Sequence, residues 1–320
     1  MIYGHNGLDL DVTFNLRSFY KQLGFSVFFS GKLHDADLLV VLRAVDKPID
    51  ISPFSFSLVH VYDYGGWDYD EFVKSINQKI TYIFCTTESK LKRLVDILHF
   101  PKEQVFVALP PVDIKIWCKK LENVRYDFIH IGNSKPNLID DPINELFNKA
   151  LSYFKVHVWG SGWNLVNNTY HGKIGLFDVS NIYSKSRFSF GLMYPFQREV
   201  TFSGRFWHGP LNGCVVLSEH GLFTRTIPGI VETEYRISEI ERLSEIFYDR
   251  YELQSQSIMF WNKQFEVTLN LVKPTLILIG KNTFTISKAI SYLYYSNLNL
   301  LREYYQRFEL FKLRFLRNNS

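Results

Sequence analysis

The sequence contains little cysteine, lacks a long apolar run and does not begin like a secreted chain. Its three cysteines, Cys85, Cys118 and Cys214, show no paired spacing, so neither a disulfide framework nor a zinc site is expected. The apolar stretch at 271–280 is interrupted by a lysine and a proline and is too short to span a bilayer. Residues 1–12 contain neither the basic nor the apolar region of a signal peptide. We therefore expect a cytoplasmic location.

The composition is that of a folded protein. Hydrophobic residues make up 46% of the 320 residues and charged residues 21%, which excludes a disordered or fibrous chain. This length is sufficient for two domains of ordinary size, each with its own core.

The net charge of +4 is concentrated at the C-terminus. Residues 281–320 contain seven basic and two acidic residues, a net charge of +5, so the rest of the chain is close to neutral. A near-neutral body argues against nucleic acid as a partner, whereas a basic, aromatic terminus suits an anionic membrane surface. Apolar residues recur every three to five positions over 286–317, which predicts a helix with one apolar side. That helix would either pack on the body or rest on anionic lipid.

Short apolar runs alternate with helical periodicity, as in parallel sheets covered by helices. We predict strands at 25–29, 37–42, 57–62, 80–84, 104–109, 127–131, 155–159, 187–192 and 214–218. We predict helices near 12–23, 70–77, 88–98, 141–153, 178–185 and 203–212. A proline pair and a polar stretch at 109–127 indicate a linker. The fold class is therefore α/β, with a parallel-sheet domain on each side of the linker.

Ligands of open α/β sheets bind beyond the carboxyl ends of the strands, so we expect a site in a cleft between the two domains. In one such loop, Gly132 permits close backbone approach and Lys135 could meet a phosphate; a plain turn is the alternative. In another, WGSGW at 159–163 predicts a tight turn beside an aromatic wall for a base or a sugar. The alternative is that both tryptophans are core anchors.

The loop and helix at 198–219 contain the strongest candidates for binding an anion. Ser203 is placed to cap a helix that Gly213 would end. Arg198 and Arg205 lie near that N-terminus, where free backbone N–H groups and guanidinium charges together predict an anion site. Two arginines suit a diphosphate leaving group; surface arginines that pair with acidic neighbours are the alternative.

Several motifs occur in an order that resembles the C-terminal half of GT-B glycosyltransferases. They are HIGN at 130–133, VWGSGW at 158–163, GKIGLFDVSNIYSKSR at 172–187 and SGRFWHGPLNGCVVLSE at 203–219. The sequence most resembles the bacterial group 1, CgeB-like enzymes, and residues 83–113 are similar to the end of their acceptor domain. The resemblance extends over 57–235 and implies two Rossmann-like parallel-sheet domains that face a central cleft, with a C-terminal helix crossing back.

The resemblance also implies a division of labour along the chain. Residues 1–118 would form an acceptor-binding domain and residues 119–280 a nucleotide-sugar-binding domain. Residues 281–320 would form the basic aromatic helix that packs on the N-terminal domain. The implied reaction is transfer of a sugar from a nucleotide-sugar donor, without a metal or another cofactor.

Carried onto this chain, the family's signature arginine falls on Arg205 and its aromatic residue on Trp207. The family's glutamate falls on His208, and an imidazole cannot accept hydrogen bonds from two hydroxyls as a carboxylate does. Glu219 or Glu199 would then replace that glutamate, or the donor would be held differently.

Backbone groups from Ile174 to Leu176 would contact the base, whereas Asp178 and Tyr183 more simply begin and pack a helix. The predicted donor-binding residues are Gly132, Lys135, Gly160, Ser161, Gly162, Trp163, Ile174, Leu176, Arg198, Ser203, Gly204, Arg205 and Glu219.

Sugar transfer needs a group that takes a proton from the acceptor hydroxyl while the diphosphate leaves. Asp63 follows a predicted strand beside two glycines, and His5 and Asp9 lie in the opening loop. A loop-capping role is the alternative for Asp63. Together with Arg205 and His208, these three are the predicted catalytic residues.

We therefore expect a cytoplasmic glycosyltransferase, either free or peripheral on the inner face of the membrane. It would extend a cell-surface glycan of the lipopolysaccharide O-antigen or capsule type, with arginines in place of a metal. Its expected partners are a nucleotide-sugar, a glycan or lipid-linked acceptor and an anionic membrane surface, but not nucleic acid. The alternative, which His208 favours, is a catalytically inactive GT-B-like subunit that binds a glycan or a partner enzyme.

Overall fold

A computed structural model describes most of the second half of the chain and parts of the first. The described residues are 3–4, 10–23, 26–29, 38–42, 56–61, 81–133, 142–163, 169–193, 203–221, 224–283 and 290–295. The chain divides into two units, of which the first comprises Met1–Pro111 and Glu266–Ser320 and the second comprises Val112–Phe265.

Strands and helices alternate through both units. The strands are β1 (Tyr3–Gly4), β2 (Ser26–Phe29), β3 (Leu38–Leu42), β4 (Phe56–Val61), β5 (Thr81–Cys85), β6 (Val105–Val107), β7 (Tyr126–Ile131), β8 (Val156–Trp159), β9 (Ser186–Gly191), β10 (Val215–Ser218), β11 (Ile230–Glu232) and β12 (Ile290–Tyr295). The α-helices are α1 (Leu10–Gln22), α2 (Glu88–Lys92), α3 (Ile114–Trp117), α4 (Pro142–Tyr153), α5 (Leu176–Tyr183), α6 (Arg205–His208), α7 (Ile237–Glu245) and α8 (Arg250–Thr283). A π-helical segment, Arg93–Ile97, continues α2, and 3-10 turns cover Lys102–Gln104 and Pro210–Asn212.

The first unit contains a seven-stranded parallel sheet. The strand order is β1-β12-β3-β4-β5-β6, and β2 also pairs with β12. Ile83, Phe84 and Cys85 of β5 are fully buried, as expected for a strand that is covered on both faces.

The second unit contains a five-stranded parallel sheet in the order β11-β10-β9-β7-β8. The aromatic residues Phe128, Phe147, Phe188 and Phe190 form the centre of its main core, and each is at most 8% exposed. Because parallel sheets covered on both faces consist of near-continuous apolar strands, the sequence indicated these strands well. All nine predicted strands are confirmed, with small shifts of their ends.

The helix predicted at 203–212 is broken into α6 and a 3-10 turn. Pro210 lacks an N–H, so the turn of α6 cannot continue through it as a regular α-helix. Gly213 ends the segment at φ +65°, in the left-handed region, as its predicted role as a stop requires. The helix predicted near 70–77 lies outside the described residues.

Helix α8 is 34 residues long and was not predicted. Its buried residues are four or seven positions apart, which places them on one side of the helix. They are Leu253, Ser257, Trp261, Thr268 and Val272. Because serine and threonine occupy part of this buried side, the apolar residues alone do not show a helical period.

The helix predicted over 286–317 is wrong at 290–295, where the chain forms β12. The segment ISYLYY contains three tyrosines and an isoleucine, residue types that favour a strand, and it pairs in parallel with β1, β2 and β3. The remaining residues of that prediction, 286–289 and 296–317, lie outside the described part of the chain.

The N-terminal part of the first unit ends at Pro111, within the segment 109–127 that the sequence indicates as a linker. Part of this segment packs into the second unit: Trp117 is 1% exposed, stacks on Phe177 and contacts the ring of His208 edge-on. The division therefore lies earlier than the predicted boundary at 118. Residues 281–320, expected as a separate segment, are grouped with the first unit. Within the described residues, no helix combines the length and the apolarity needed to cross a bilayer.

Arg250, the first residue of α8, holds the amino edge of the second sheet. Its guanidinium donates hydrogen bonds to the carbonyl oxygens of Gly213 (3.1 Å), Glu122 (2.9 Å) and Ser184 (2.6 Å). These residues precede β10, β7 and β9, so one side chain ties together the starts of three adjacent strands.

Replacing Arg250 with methionine should lower the free energy of unfolding by about 3 kcal/mol, because three carbonyl groups, two of them on the buried residues Gly213 and Ser184, lose a charged donor. Urea unfolding followed by circular dichroism measures the change. Arg242→Met, at an exposed position on α7, is the matched control and should change the unfolding free energy little. Equal effects of the two substitutions would contradict the role of Arg250.

Candidate functional site

The candidate site lies at the carboxyl edge of the second sheet. Because β7, β8, β9 and β10 are parallel, the loops that follow them meet at the same edge. These loops begin at Gly132, Gly160, Leu192 and Glu219. Such an edge is where ligands bind in open α/β sheets.

Arg205 bridges two of these strand ends. Its Nε donates to the carbonyl oxygen of Ile131 (2.9 Å), and its Nη1 donates to that of Leu192 (3.0 Å). Nη2 lies beside Gly132, where an added Cβ would overlap it. The structure shows no protein acceptor for Nη2 among the described residues. The partly buried guanidinium therefore places positive charge at the edge, and part of its hydrogen-bonding capacity is left for a ligand.

Helix α6 is only four residues long, so the predicted contribution of a helix dipole to the anion site is small. Gly204 takes the N-cap position, and the Ser203 hydroxyl accepts a long hydrogen bond from the Arg205 N–H (3.4 Å). The positive charge of the site therefore comes from the side chain of Arg205 rather than from a helix terminus.

Gly132 and Gly160 allow the loops after β7 and β8 to touch through their backbones. The Gly132 N–H donates to the Trp159 carbonyl (2.9 Å). Gly160 has φ +143°, and a Cβ there would overlap the Gly132 carbonyl. Residue 160 thus requires glycine for steric reasons, as the predicted close approach implies, whereas a side chain at residue 132 would displace the end of the Arg205 side chain.

Polar side chains lock this glycine contact. Asn133 accepts the Ser161 N–H through its side-chain oxygen (2.8 Å), and the indole Nε1 of Trp163 donates to the Gly132 carbonyl (2.7 Å). The Tyr170 hydroxyl donates to the Gly160 carbonyl (2.8 Å). These hydrogen bonds hold the described starts of the two loops together.

Both tryptophans of the WGSGW segment pack within the protein. Trp159 is 7% exposed and stacks on His171 with ring centroids 4.4 Å apart. Trp163 contacts His130 edge-on at 5.2 Å and packs against the main core. Their contacts match the core-anchor alternative, while Gly162, at φ +78°, makes the tight turn between them.

Glu219 is buried, 1% exposed, at the end of β10. Its carboxylate accepts hydrogen bonds from the Met193 N–H (2.6 Å), the Tyr235 hydroxyl (3.0 Å) and the Ser218 hydroxyl (3.4 Å). Burial, followed by the neighbouring Glu219 charge, raises the pKa of Tyr235 well above its usual value, so this phenol remains a donor.

His208 is 4% exposed and lies in an aromatic cluster. Its ring meets Trp117 edge-on at 4.8 Å and runs parallel to the ring of Tyr183 at 6.4 Å. Its Nδ1 lies 3.3 Å from the Ser180 hydroxyl oxygen. These contacts show a packing role, and its predicted part in catalysis stays a prediction.

The segment predicted to contact the base leads into α5. Gly175 takes the N-cap position, Asp178 lies in the first turn, and Tyr183 is 1% exposed, so the helix-starting and packing roles of the last two are confirmed. Ile174 packs against a small core that contains Ile129 and Trp159. Burial raises the pKa of Tyr183 to about 12.

The other predicted site residues lie outside the described part of the chain. They are His5, Asp9, Asp63, Lys135, Arg198 and Glu199. Among the residues whose side chains are described, no group of three or more histidine, cysteine, aspartate or glutamate side chains is placed to hold a metal ion.

Three site residues were missed by sequence reasoning: Asn133, Tyr170 and Tyr235. Asn133 lies in a loop that the sequence did single out, next to Gly132. Tyr235 follows β11, a short strand that was not predicted, so no pattern placed it at the carboxyl edge. Its backbone adopts φ +61°, which is unusual for a residue with a side chain.

Comparisons with known proteins identify the fold. AviGT4, a glycosyltransferase involved in avilamycin A biosynthesis, matches with a TM-score of 0.52 and 11% identity over 84% of this chain and 90% of that chain. An alpha-glucosyltransferase in complex with UDP-glucose and DNA containing an abasic site matches with a TM-score of 0.56 and 13% identity, over 87% of this chain and 98% of that one. The DNA-modifying enzyme beta-glucosyltransferase matches with a TM-score of 0.51 and 13% identity, over 87% of this chain and 99% of that one.

No protein-family model and no curated protein sequence matches the chain. The narrower resemblance to the CgeB-like enzymes therefore stays a prediction. The similar structures are GT-B glycosyltransferases, and at such low identity the likeness establishes the fold alone. The chain has the GT-B fold, as the sequence predicts.

Proposed function

We propose that this protein is a glycosyltransferase that uses a nucleotide-sugar donor, and that Arg205 binds the donor diphosphate. The observation that carries the proposal is the position of Arg205, which holds a guanidinium between Ile131 and Leu192 at the carboxyl edge of the second sheet. Charge at this edge faces the region where α/β sheets of this kind bind their ligands.

The geometry suits the leaving group of sugar transfer. Negative charge grows on the diphosphate as the sugar departs, and a fixed cation stabilises it without reorganising during the reaction. Two carbonyl oxygens fix the Arg205 guanidinium, which has five N–H groups and uses two of them in these bonds. With such a group in place, the reaction needs no metal ion; Arg198 and Lys135 would add to the charge.

Support for the donor class comes from the fold and from the ordered glycine loops. One structure of similar fold contains UDP-glucose. The backbone contact between Gly132 and Gly160 leaves no side chain at the closest point of the two loops, which lets a phosphate or a ribose approach the main chain. Backbone groups from Ile174 to Leu176 would contact the base.

The proposed acceptor is a cell-surface glycan of the O-antigen or capsule type, made on the cytoplasmic side of the membrane. The neutral body and the basic residues near the C-terminus support this choice over a nucleic acid. Of the structures of similar fold, one is a complex with DNA and another is of a DNA-modifying enzyme. DNA is therefore included as a competing acceptor in the test. Asp63, His5 and Asp9 are the proposed sources of the general base.

One observation favours a second candidate function. The position of the family's glutamate holds His208, whose ring is enclosed by Trp117 and Tyr183 and offers no carboxylate to a donor hydroxyl. The second candidate is therefore a GT-B-like subunit that binds a glycan or a partner enzyme and does not catalyse transfer.

Arg205→Lys should weaken nucleoside-diphosphate binding about tenfold, because an ammonium group cannot bridge two carbonyls and also meet a phosphate. Isothermal titration with UDP, GDP and dTDP identifies the tightest binder and measures its affinity for both proteins. Arg187→Lys is the matched control, since Arg187 also donates to a carbonyl, that of Ser244 (3.1 Å), but lies at the amino end of β9. Unchanged affinity in Arg205→Lys would contradict the proposed diphosphate contact.

Transfer of radiolabelled sugar from the matching donor should occur on a lipid-linked glycan acceptor and not on duplex DNA. EDTA should leave the rate unchanged because Arg205 supplies the positive charge. Loss of activity in EDTA that added Mg²⁺ or Mn²⁺ restores would contradict metal-independent transfer. Nucleotide binding without transfer or donor hydrolysis would favour the inactive subunit, and transfer to DNA would overturn the proposed acceptor.

Replacing the basic residues of the C-terminal segment with glutamine should weaken binding to vesicles that contain phosphatidylglycerol. The four to change are Arg302, Arg307, Arg314 and Arg317. Each basic residue near an anionic surface contributes about 1 kcal/mol, so the substituted protein should stay in the supernatant of a vesicle-pelleting assay. Wild-type and substituted protein should behave alike with neutral phosphatidylcholine vesicles. Equal pelleting with anionic vesicles would exclude a membrane role for this segment.

A further inference from the structure

One peptide group connects the buried carboxylate of Glu219 to the Arg205 guanidinium. The carbonyl of Leu192 accepts the hydrogen bond from Arg205 Nη1 (3.0 Å), and the N–H of the same peptide, that of Met193, donates to Glu219 (2.6 Å). Leu192 and Met193 are each 2% exposed, so neither end of this peptide has water as an easy alternative partner.

Tyr235 fixes the other oxygen of the carboxylate. Its hydroxyl donates to Glu219 Oε2 (3.0 Å), and its own N–H donates to the Thr233 hydroxyl (2.9 Å). The residue is fully buried and keeps φ +61°, a conformation that costs free energy for a side chain of this size. Strained residues of this kind persist where the surrounding contacts require them, and here the contact is with Glu219.

We propose that Tyr235 and Glu219 are positioning residues, which set the orientation of Arg205 through the Leu192–Met193 peptide. Glu219 then acts behind the ligand site. It does not bind the hydroxyl groups of the nucleotide-sugar, the role for which the sequence suggested it. Its carboxylate is buried, and each of its two oxygens already accepts a hydrogen bond from inside the protein, from the Met193 N–H and the Tyr235 hydroxyl.

The electrostatics of this arrangement are favourable. The carboxylate lies at the N–H end of the peptide dipole and the guanidinium at the C=O end, so both charges stabilise the same peptide orientation. Hydrogen bonds in such a chain polarise one another in a buried setting. Removing the Tyr235 hydroxyl therefore loosens Glu219, the peptide and Arg205 in turn, although Tyr235 does not contact Arg205 in any hydrogen bond described above.

The first test uses the free protein and does not depend on the proposed function. The side-chain Nε–H of Arg205 gives a nitrogen–proton NMR signal, which is assigned by its loss in Arg205→Lys. In Tyr235→Phe, hydrogen exchange of this Nε–H should become about tenfold faster, because its bond to Ile131 is no longer held in place. Tyr248→Phe is the matched control: it removes another hydroxyl from the second unit, at a ring that packs on Phe188. Exchange that is equally slow in Tyr235→Phe and wild type would overturn the inference.

The second test connects the positioning to the proposed function, on which this part of the inference rests. Tyr235→Phe should weaken binding of the best nucleoside diphosphate about tenfold and leave binding of the corresponding nucleoside unchanged, because only the phosphates meet Arg205. A merely structural defect would weaken both ligands alike. In a double-mutant cycle, Tyr235→Phe should cost little further affinity once Arg205→Lys is present. Additive effects would overturn the inference.

Glu219→Gln provides a second variant with the same shape. The amide oxygen can still accept the Met193 N–H, but the charge is lost, so an intermediate effect on both readouts is expected. An effect of Glu219→Gln on nucleoside binding as large as that on diphosphate binding would mean either that Glu219 contacts the nucleoside or that the substitution disturbs the structure generally, and both results would overturn its positioning role. If wild-type protein binds no nucleotide at all, the proposed function fails, and the exchange of the Arg205 Nε–H still decides the inference.

Discussion

The bridge that Arg205 forms between Ile131 and Leu192 is the constraint on which the candidate site depends. Strands β7 and β9 are neighbours in the sheet, and adjacent strands lie about 4.8 Å apart, a separation that one guanidinium can span. At the carboxyl edge the last carbonyl groups have no further strand residue to pair with. A single side chain satisfies two of them and, by the same contacts, leaves a fixed positive charge at the edge.

The glycines follow from this arrangement. Arg205 Nη2 occupies the place where a side chain of residue 132 would start, and the Gly132 carbonyl occupies the corresponding place beside Gly160. Within the described residues, the closest points of these loops are therefore main chain and the Arg205 guanidinium. This combination offers donors to an anion without a bulky side chain in front of them, which is what close approach of a phosphate requires.

The sequence was most informative where local pattern and burial agree. Strands such as β10, with all four residues buried, are continuous apolar runs, and the glycine-rich loops after β7 and β8 are visible by composition. Helix α8 was hidden because Ser257 and Thr268 occupy its buried stripe. The contact of Tyr235 with Glu219 could not be predicted, because the two residues are 16 positions apart. Tyr235 also has a left-handed backbone conformation and follows a strand that was not predicted. Through-space contacts of this kind leave no periodicity in a single sequence.

Two arginines donate hydrogen bonds to carbonyl groups at the ends of strands in the second sheet, and they differ in the edge at which they lie. Arg250 binds carbonyl groups that precede β7, β9 and β10, and each of its three nitrogens has a partner there. Arg205 binds carbonyl groups at the ends of β7 and β9 with only two of its nitrogens. Every nitrogen of the Arg250 guanidinium donates to a carbonyl at the amino edge, away from the candidate site, so Arg250 stabilises the fold. Arg205, with a carboxylate behind it across a single peptide, combines the same structural task with the capacity to bind an anion at the carboxyl edge.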